Sequence, residues 1–229
     1  MSLSKGVVFE TRRHFDPTGR LTPSTWEDMS RDKNDLAFTG APSWTRLPTG
    51  LWTPTFNGTT QYASKAVADF RKGDFSGAIE AVFNTTSIIE TIFASADTGT
   101  TAYLLEFLID GNGVLQILQN NNDVLTNITA GTTVNTGRPQ HAFLNSSGTA
   151  YSVILNGATE ALTLVSGVNN GDWFGDTTLR DNITVGAIAR TSVVRYFTGN
   201  IPFVRIYSYP PSLEYCQARF QQWRRLLGV

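Results

Sequence analysis

Cysteine is nearly missing from this chain: Cys216 is the only one in 229 residues. A lone thiol forms no internal disulfide, so the fold does not depend on an oxidising compartment. Histidine is almost as scarce, with His14 and His141 alone, and no Cys/His cluster has the spacing of a structural metal site. Charge is sparse as well. Charged residues make up 16% of the chain, and eighteen basic against nineteen acidic side chains leave a formal charge of −1. That is not the electrostatic footprint of a nucleic-acid binder, and no dense Lys/Arg run supplies one locally. No apolar run reaches the length that spans a bilayer, so no membrane insertion is expected. The opening "MSLSKGVVFETRR" carries Lys5 and is too short and too polar to read as a signal peptide.

What is present is the vocabulary of strands and turns. The apolar fraction, 41%, suffices for one sizeable core, and no linker or composition break divides the chain. One domain over residues 1–229 is the expectation. Runs of Val, Ile, Leu, Phe, Tyr and Thr fall at 77–83, 103–109, 114–119, 140–144, 150–155, 160–165, 183–188 and 201–207, separated by Gly, Asn and Asp. Such a series predicts a sandwich or barrel. Two breaks read as hairpins: Asp110-Gly111-Asn112-Gly113, and Asn156-Gly157, a pair that accepts the positive φ of a type I′ turn. No helical crossover is visible, so the pairing is antiparallel. Before Leu51 the pattern is less regular, with one short strand at Val7 to Phe9 and then the turn-rich "FDPTGRLTPS".

The ending differs. Pro210 and Pro211 stop a strand, Ser212 offers an N-cap and Glu214 lies in the first turn, which predicts a helix over about 212–227. Leu213, Cys216, Phe220, Trp223 and Leu227 fall at steps of three and four, an apolar stripe. The stripe either docks on the protein's own sandwich or packs against another subunit. Docking is the expectation, with any self-association using the strand loops or the N-terminal segment.

Several stretches resemble the concanavalin A-like, laminin-G-like jelly-roll family. "WEDMSRDKNDLAFTGAPSW" (26–44) is similar to the family's opening segment, and "FNGTTQYAS" (56–64) to its Phe-Asn-Gly turn ending in Tyr. "QHAFLNSSGTAYSVILNGA" (140–158) looks like its paired strands, and "GNIPFVRIYSYPPSLEY" (199–215) resembles its closing strand. The resemblance implies an all-β fold of two packed antiparallel sheets, a jelly-roll sandwich, here followed by a C-terminal α-helix. It also implies a non-catalytic role for His141. Pro202-Phe203 stands where relatives often carry acidic residues, which weakens the case for the family's calcium loop. Pro202 cannot donate to a ladder, which places it at a strand start or an edge.

Catalytic patterns are absent. Retaining glycosidases need two carboxyl groups roughly 5 Å apart on one face. Glu80 and Glu90 are ten residues apart, and Glu106 and Asp110 have no third member, so structural roles are expected and no enzyme. Cys216 falls on the apolar stripe and reads as a small core residue. "DGNG" and "QNNNDV" offer oxygen ligands, but one carboxylate per loop is poor provision for calcium, and no cofactor is expected. Asn-x-Ser/Thr triplets at Asn57, Asn84, Asn127, Asn145 and Asn182 follow from an Asn- and Thr-rich composition.

The candidate binding site is "NNGDWFGDTT" (169–178). Asp172, Trp173, Phe174 and Asp176 sit between glycines, where the rings would stack on a sugar face and the carboxylates take its hydroxyls. The alternative is that Trp173 or Phe174 folds back to plug the end of the sandwich. Trp44 and Trp52 share that ambiguity. The expected function is a structural or adhesive virion component, such as a phage decoration or appendage protein assembled in the host cytoplasm; the alternative is a secreted, extracellular carbohydrate-binding module. The partners would be other virion proteins or further copies of the chain in the first case and a cell-surface glycan in the second. A degenerate glycosidase is disfavoured by the missing carboxylates.

Overall fold

In the computed structural model, residues 6–11, 13, 23–47 and 49–227 are described. Lys5, His14 and most of "FDPTGRLTPS" lie outside them. The first strands are β1 (Val7–Glu10), β2 (Thr25–Trp26), β3 (Leu36–Thr39), β4 (Ser43–Arg46), β5 (Trp52–Asn57) and β6 (Tyr62–Ala66). Longer ones follow: β7 (Gly77–Asn84), β8 (Glu90–Ala96), β9 (Tyr103–Ile109), β10 (Val114–Asn121), β11 (Val124–Thr133), β12 (Gln140–Ser146) and β13 (Tyr151–Leu155). The last are β14 (Ala158–Thr159), β15 (Leu162–Ser166), β16 (Asn182–Val185), β17 (Ile188–Ala189), β18 (Val193–Val194) and β19 (Thr198–Tyr207), before helix α1 (Leu213–Leu227).

Two large antiparallel sheets form a sandwich. One has eight strands in the order β14-β13-β12-β7-β19-β5-β4, with β1 paired to β19. The other has nine, in the order β15-β11-β10-β9-β8-β16-β6-β3-β2. Side-chain alternation explains the layering. Ile79, Ala81 and Phe83 of β7 share the central core with Leu105, Phe107 and Ile109 of β9. Their alternates, Glu80 and Glu106, therefore point to opposite outer faces of the sandwich. The β17–β18 hairpin covers the outer face of the nine-stranded sheet, where Ile188 and Val194 meet Ala94, Ala96 and Leu104.

Both expected hairpins form. Asp110 Oδ1 accepts from the Asn112 (2.8 Å) and Val114 (3.1 Å) amides, and Gly113 takes φ 76° between β9 and β10. Asn156 and Gly157 have φ 52° and 81°, the two positive values of a type I′ turn. Pro202 is neither at a strand start nor at an edge. It lies inside β19, a central strand, where the register with β7 shifts between Asn200 and Phe203. That irregularity is what lets a residue without an N–H enter the sheet interior.

Helix α1 docks on the outer face of the eight-stranded sheet. Ser212 caps it: the hydroxyl accepts from the Tyr215 amide (3.3 Å) and its carbonyl from the Cys216 amide (3.0 Å). Trp223 and Leu227 pack on Val82 and Phe203, and Cys216 on Ala78, Phe143 and Tyr207. The predicted stripe needs correction at two places. Leu213 is exposed and Phe220 only half-buried, stacked on the His141 ring at 6.1 Å, while Arg219 takes a place on the buried face. The reason is Glu80. Its carboxylate, wholly enclosed, accepts from His141 Nε2, Arg219 Nε and Trp223 Nε1, each at 3.0 Å, and from the Tyr207 hydroxyl at 2.6 Å. A buried carboxylate demands such partners, so an arginine replaces an apolar residue under the helix.

Candidate functional site

The 169–178 loop takes the second of the two places open to it. Trp173 and Phe174 are 0% exposed and plug one end of the sandwich. Phe174 lies edge-on to Phe70 (5.3 Å) and Phe93 (6.3 Å), with the Arg180 guanidinium 5.0 Å above its ring. Arg180 is itself buried and held by carbonyls, donating through Nε to Thr177 (2.6 Å) and through Nη2 to Phe70 (2.9 Å). Burial pushes its guanidinium down to about 10. Asp176 Oδ2 accepts from the Trp173 amide (2.8 Å), and the Tyr151 hydroxyl donates to the Asp172 carbonyl. Partial burial, with Asp176 nearby, pushes the Asp172 carboxyl up. The expectation that these rings stack on a sugar is thus corrected: the end of a sandwich is apolar and needs filling, and the adjacent aromatics fill it. Trp44 and Trp52 are half-buried on β4 and β5, Trp44 edge-on to Phe38 at 5.8 Å.

The carboxylates singled out in the sequence serve the framework. Glu90 accepts from the Thr85 hydroxyl (2.8 Å) and the Thr198 amide (2.7 Å). Glu106 is paired with Arg195 and receives the Thr91 hydroxyl. Burial pushes both carboxyls up, against the pull of these partners. Glu80 is held below the usual carboxylate range, where His141, Arg219 and Arg205 outweigh desolvation. Glu80 and Glu106 face opposite sides of the sandwich and cannot flank one glycosidic bond. Among the described residues, no group of three or more His, Cys, Asp or Glu side chains is placed to hold a metal. Asp110 is engaged in its own turn.

Two of the clefts among the described residues are open enough to take a ligand. The larger, about 570 Å³, lies between residues 32–34 and 67–74. Its charged groups neutralise one another: Arg71 pairs with Asp74 (2.7 Å) and Asp32 (3.0 Å), and Lys72 with Asp69 (3.5 Å). The other, about 440 Å³, lies on the outer face of the eight-stranded sheet beside the start of α1. Here the register Asn145↔Ser152 and Phe143↔Ile154 lays β12 and β13 side by side, and Pro210-Pro211 swings the chain over them. Ile154, Pro210, Pro211 and the exposed Leu213 give it apolar walls, while Ser147, Ser152 and Thr159 bring hydroxyls. At its floor the Asn145 amide lies beside the Cys216 thiol, and its Oδ1 has no hydrogen-bond partner. Apolar walls with a few placed hydroxyls suit a ligand with a C–H face and a hydroxylated edge. The sequence shows each wall as a turn or cap, but only strand order brings "NSSGTAYS" and "YPPSL" together.

No protein-family model matches the chain, and no curated protein matches it by sequence. Solved structures do match in fold. Domain 4 of a GH43 extracellular arabinanase from Geobacillus stearothermophilus, in complex with arabinotriose, aligns with a TM-score of 0.63 at 15% identity, over 92% of this chain and 98% of that one. The CBM40 of Ruminococcus gnavus IT-sialidase, bound to α2,3-sialyllactose, aligns at 0.57 and 18% identity, over 65% of this chain and 84% of that one. Trypanosoma rangeli sialidase in complex with sialic acid aligns at 0.60 and 16% identity, over 96% of this chain and 33% of that one. At such identities the likeness is one of fold. These neighbours are β-sandwich domains of carbohydrate-active proteins, consistent with a concanavalin A-like fold.

Proposed function

We propose that this chain is a non-catalytic carbohydrate-binding module acting outside the cell, and that its glycan lies in the cleft between β12–β13 and the start of α1. The observation that carries the reading is the near-complete alignment with an arabinanase domain in complex with arabinotriose. The CBM40 bound to sialyllactose supports it further. The cleft adds local chemistry: Pro210, Pro211 and Ile154 offer the surface against which sugar C–H groups pack, and Ser152 and Thr159 the hydroxyls that fix orientation. Catalysis is left out of the proposal because Glu80 and Glu106 stand on opposite faces and both are held in structural pairs. An adhesive virion component draws no support from these neighbours, and nothing in the cleft requires a virus particle.

The test is calorimetric titration of the purified chain with arabino-oligosaccharides and with sialyllactose, alongside Ser152→Phe and Thr159→Trp, which fill the cleft. Both substitutions are expected to abolish binding while leaving the melting temperature within a few degrees, since surface changes rarely exceed about 0.5 kcal/mol. Glycan binding that survives both would move the site elsewhere. Hydrolysis of the same sugars by the chain, lost in Glu106→Gln, would overturn the non-catalytic assignment.

A further inference from the structure

The likeness in fold reaches two kinds of sugar. Arabinotriose, bound to the arabinanase domain, is neutral, whereas sialyllactose, bound to the CBM40, carries a carboxylate. Fold alone does not choose between them. The electrostatics of the cleft do.

None of the described residues lining the cleft between β12–β13 and α1 carries a charge. The charged residues next in sequence to that lining, Glu160 beside Thr159 and Glu214 beside Leu213, are both acidic. Cations lie under α1, but they are committed elsewhere: Arg219 and Arg205 are buried and paired with Glu80, at 3.0 and 3.6 Å. The remaining positive feature is the N-terminus of α1, where backbone amides favour an anion. It is already answered. The Tyr215 amide donates to the Ser212 hydroxyl, and the Glu214 carboxylate is drawn to its own amide and to Ser212.

The floor of the cleft points the same way. Asn145 is 6% exposed, and the Oδ1 of its amide has no hydrogen-bond partner. An amide oxygen only accepts, so this one leaves an unanswered partial negative charge beneath the cleft. An ionised carboxylate is also acceptor-only. Seated over that oxygen, it would exchange water for a few hydroxyls and no cation, and a charge buried without a partner is costly. A sugar hydroxyl gives up far less.

Resting on the glycan reading of this cleft, we propose that the site discriminates by charge: it takes neutral sugars and rejects those carrying a carboxylate, with Asn145 as a specificity-determining residue. Calorimetric titration of the full chain with arabinotriose, with sialyllactose and with the carboxamide of sialyllactose reads the discrimination. The amide keeps the shape of the acid and removes its charge. Arabinotriose is expected to bind with a dissociation constant that salt does not move, since a neutral ligand has no charge to screen. Sialyllactose is expected to bind at least about tenfold more weakly than its amide. In Asn145→Leu that ratio should shrink while the melting temperature holds, because the substitution removes a buried acceptor that lacked a donor. Equal affinities for acid and amide, or tighter binding of the acid, would overturn the proposal. An unchanged ratio in Asn145→Leu would remove that residue from it. The glycan reading fails on different results: none of the three sugars binding, or all of them binding Thr159→Trp as tightly as the unaltered chain, would end that reading and this proposal with it.

Discussion

Glu80 is one carboxylate serving two elements: Tyr207 and His141 hold it from the sheet, Arg219 and Trp223 from the helix. Replacing one partner of such a buried pair strands the others, an effect of about 3–5 kcal/mol. Glu80→Gln is therefore expected to lower stability by that order in chemical denaturation. The pH dependence has a definite sign. A carboxyl held below its unfolded value contributes stability above about pH 4.5, and that contribution fades as the pH falls through the lowered folded value. Glu106 runs the other way, because burial raises its carboxyl. Stability falls as the pH rises from the ordinary carboxylate range through the raised folded value. Unfolding curves at several pH values should then show a flattened acid limb in Glu80→Gln, whereas Glu106→Gln should be neutral or stabilising at pH 7. Equal losses in the two variants would contradict the assignment.

At the scale of elements, the helix is the part with most at stake. Trp223, Leu227 and Cys216 leave water against the sheet, and Phe220 partly so. Burying a large apolar side chain contributes roughly 1.5–3 kcal/mol, so the helix supplies a substantial share of the 5–15 kcal/mol typical of a domain. Truncation after Ser212 is expected to leave a chain that is unfolded or poorly folded by circular dichroism. A truncated chain with an unchanged melting curve would mean that the sheet stands without its cover. The sequence was legible where local chemistry decides. The Asn156-Gly157 turn, the Ser212 cap and the span 103–109 all follow from short-range rules. It was less legible where distant residues decide. Arg219 lies off the predicted stripe until Glu80 is brought beneath it from a strand far away in sequence, and Trp173 looks like a platform until the end of the sandwich closes over it. β2 and β14 are too short to carry a periodic signal. The cleft had no signature at all, since its walls come from segments about sixty residues apart whose contact depends on strand order.

For the whole molecule, the cleft ties binding to folding: Pro210, Pro211 and Leu213 belong to the start of α1, and Ser152 and Thr159 to the sheet. A sugar that binds only this closed arrangement stabilises it, by about 2.7 kcal/mol at a hundred times its dissociation constant. Saturating arabino-oligosaccharide should therefore raise the melting temperature of the unaltered chain and leave that of Thr159→Trp where it was. An equal rise in both would place the sugar elsewhere.

The one cysteine gives the molecule a clock. The Cys216 thiol lies wholly enclosed between α1 and the sheet, and burial pushes it up to about 12, so it carries almost no reactive thiolate in the closed state. Each lifting of the helix uncovers it and restores ordinary thiol chemistry. Because the sequence holds no second thiol, the rate at which a chromogenic disulfide reagent is consumed counts those openings directly, with no label introduced.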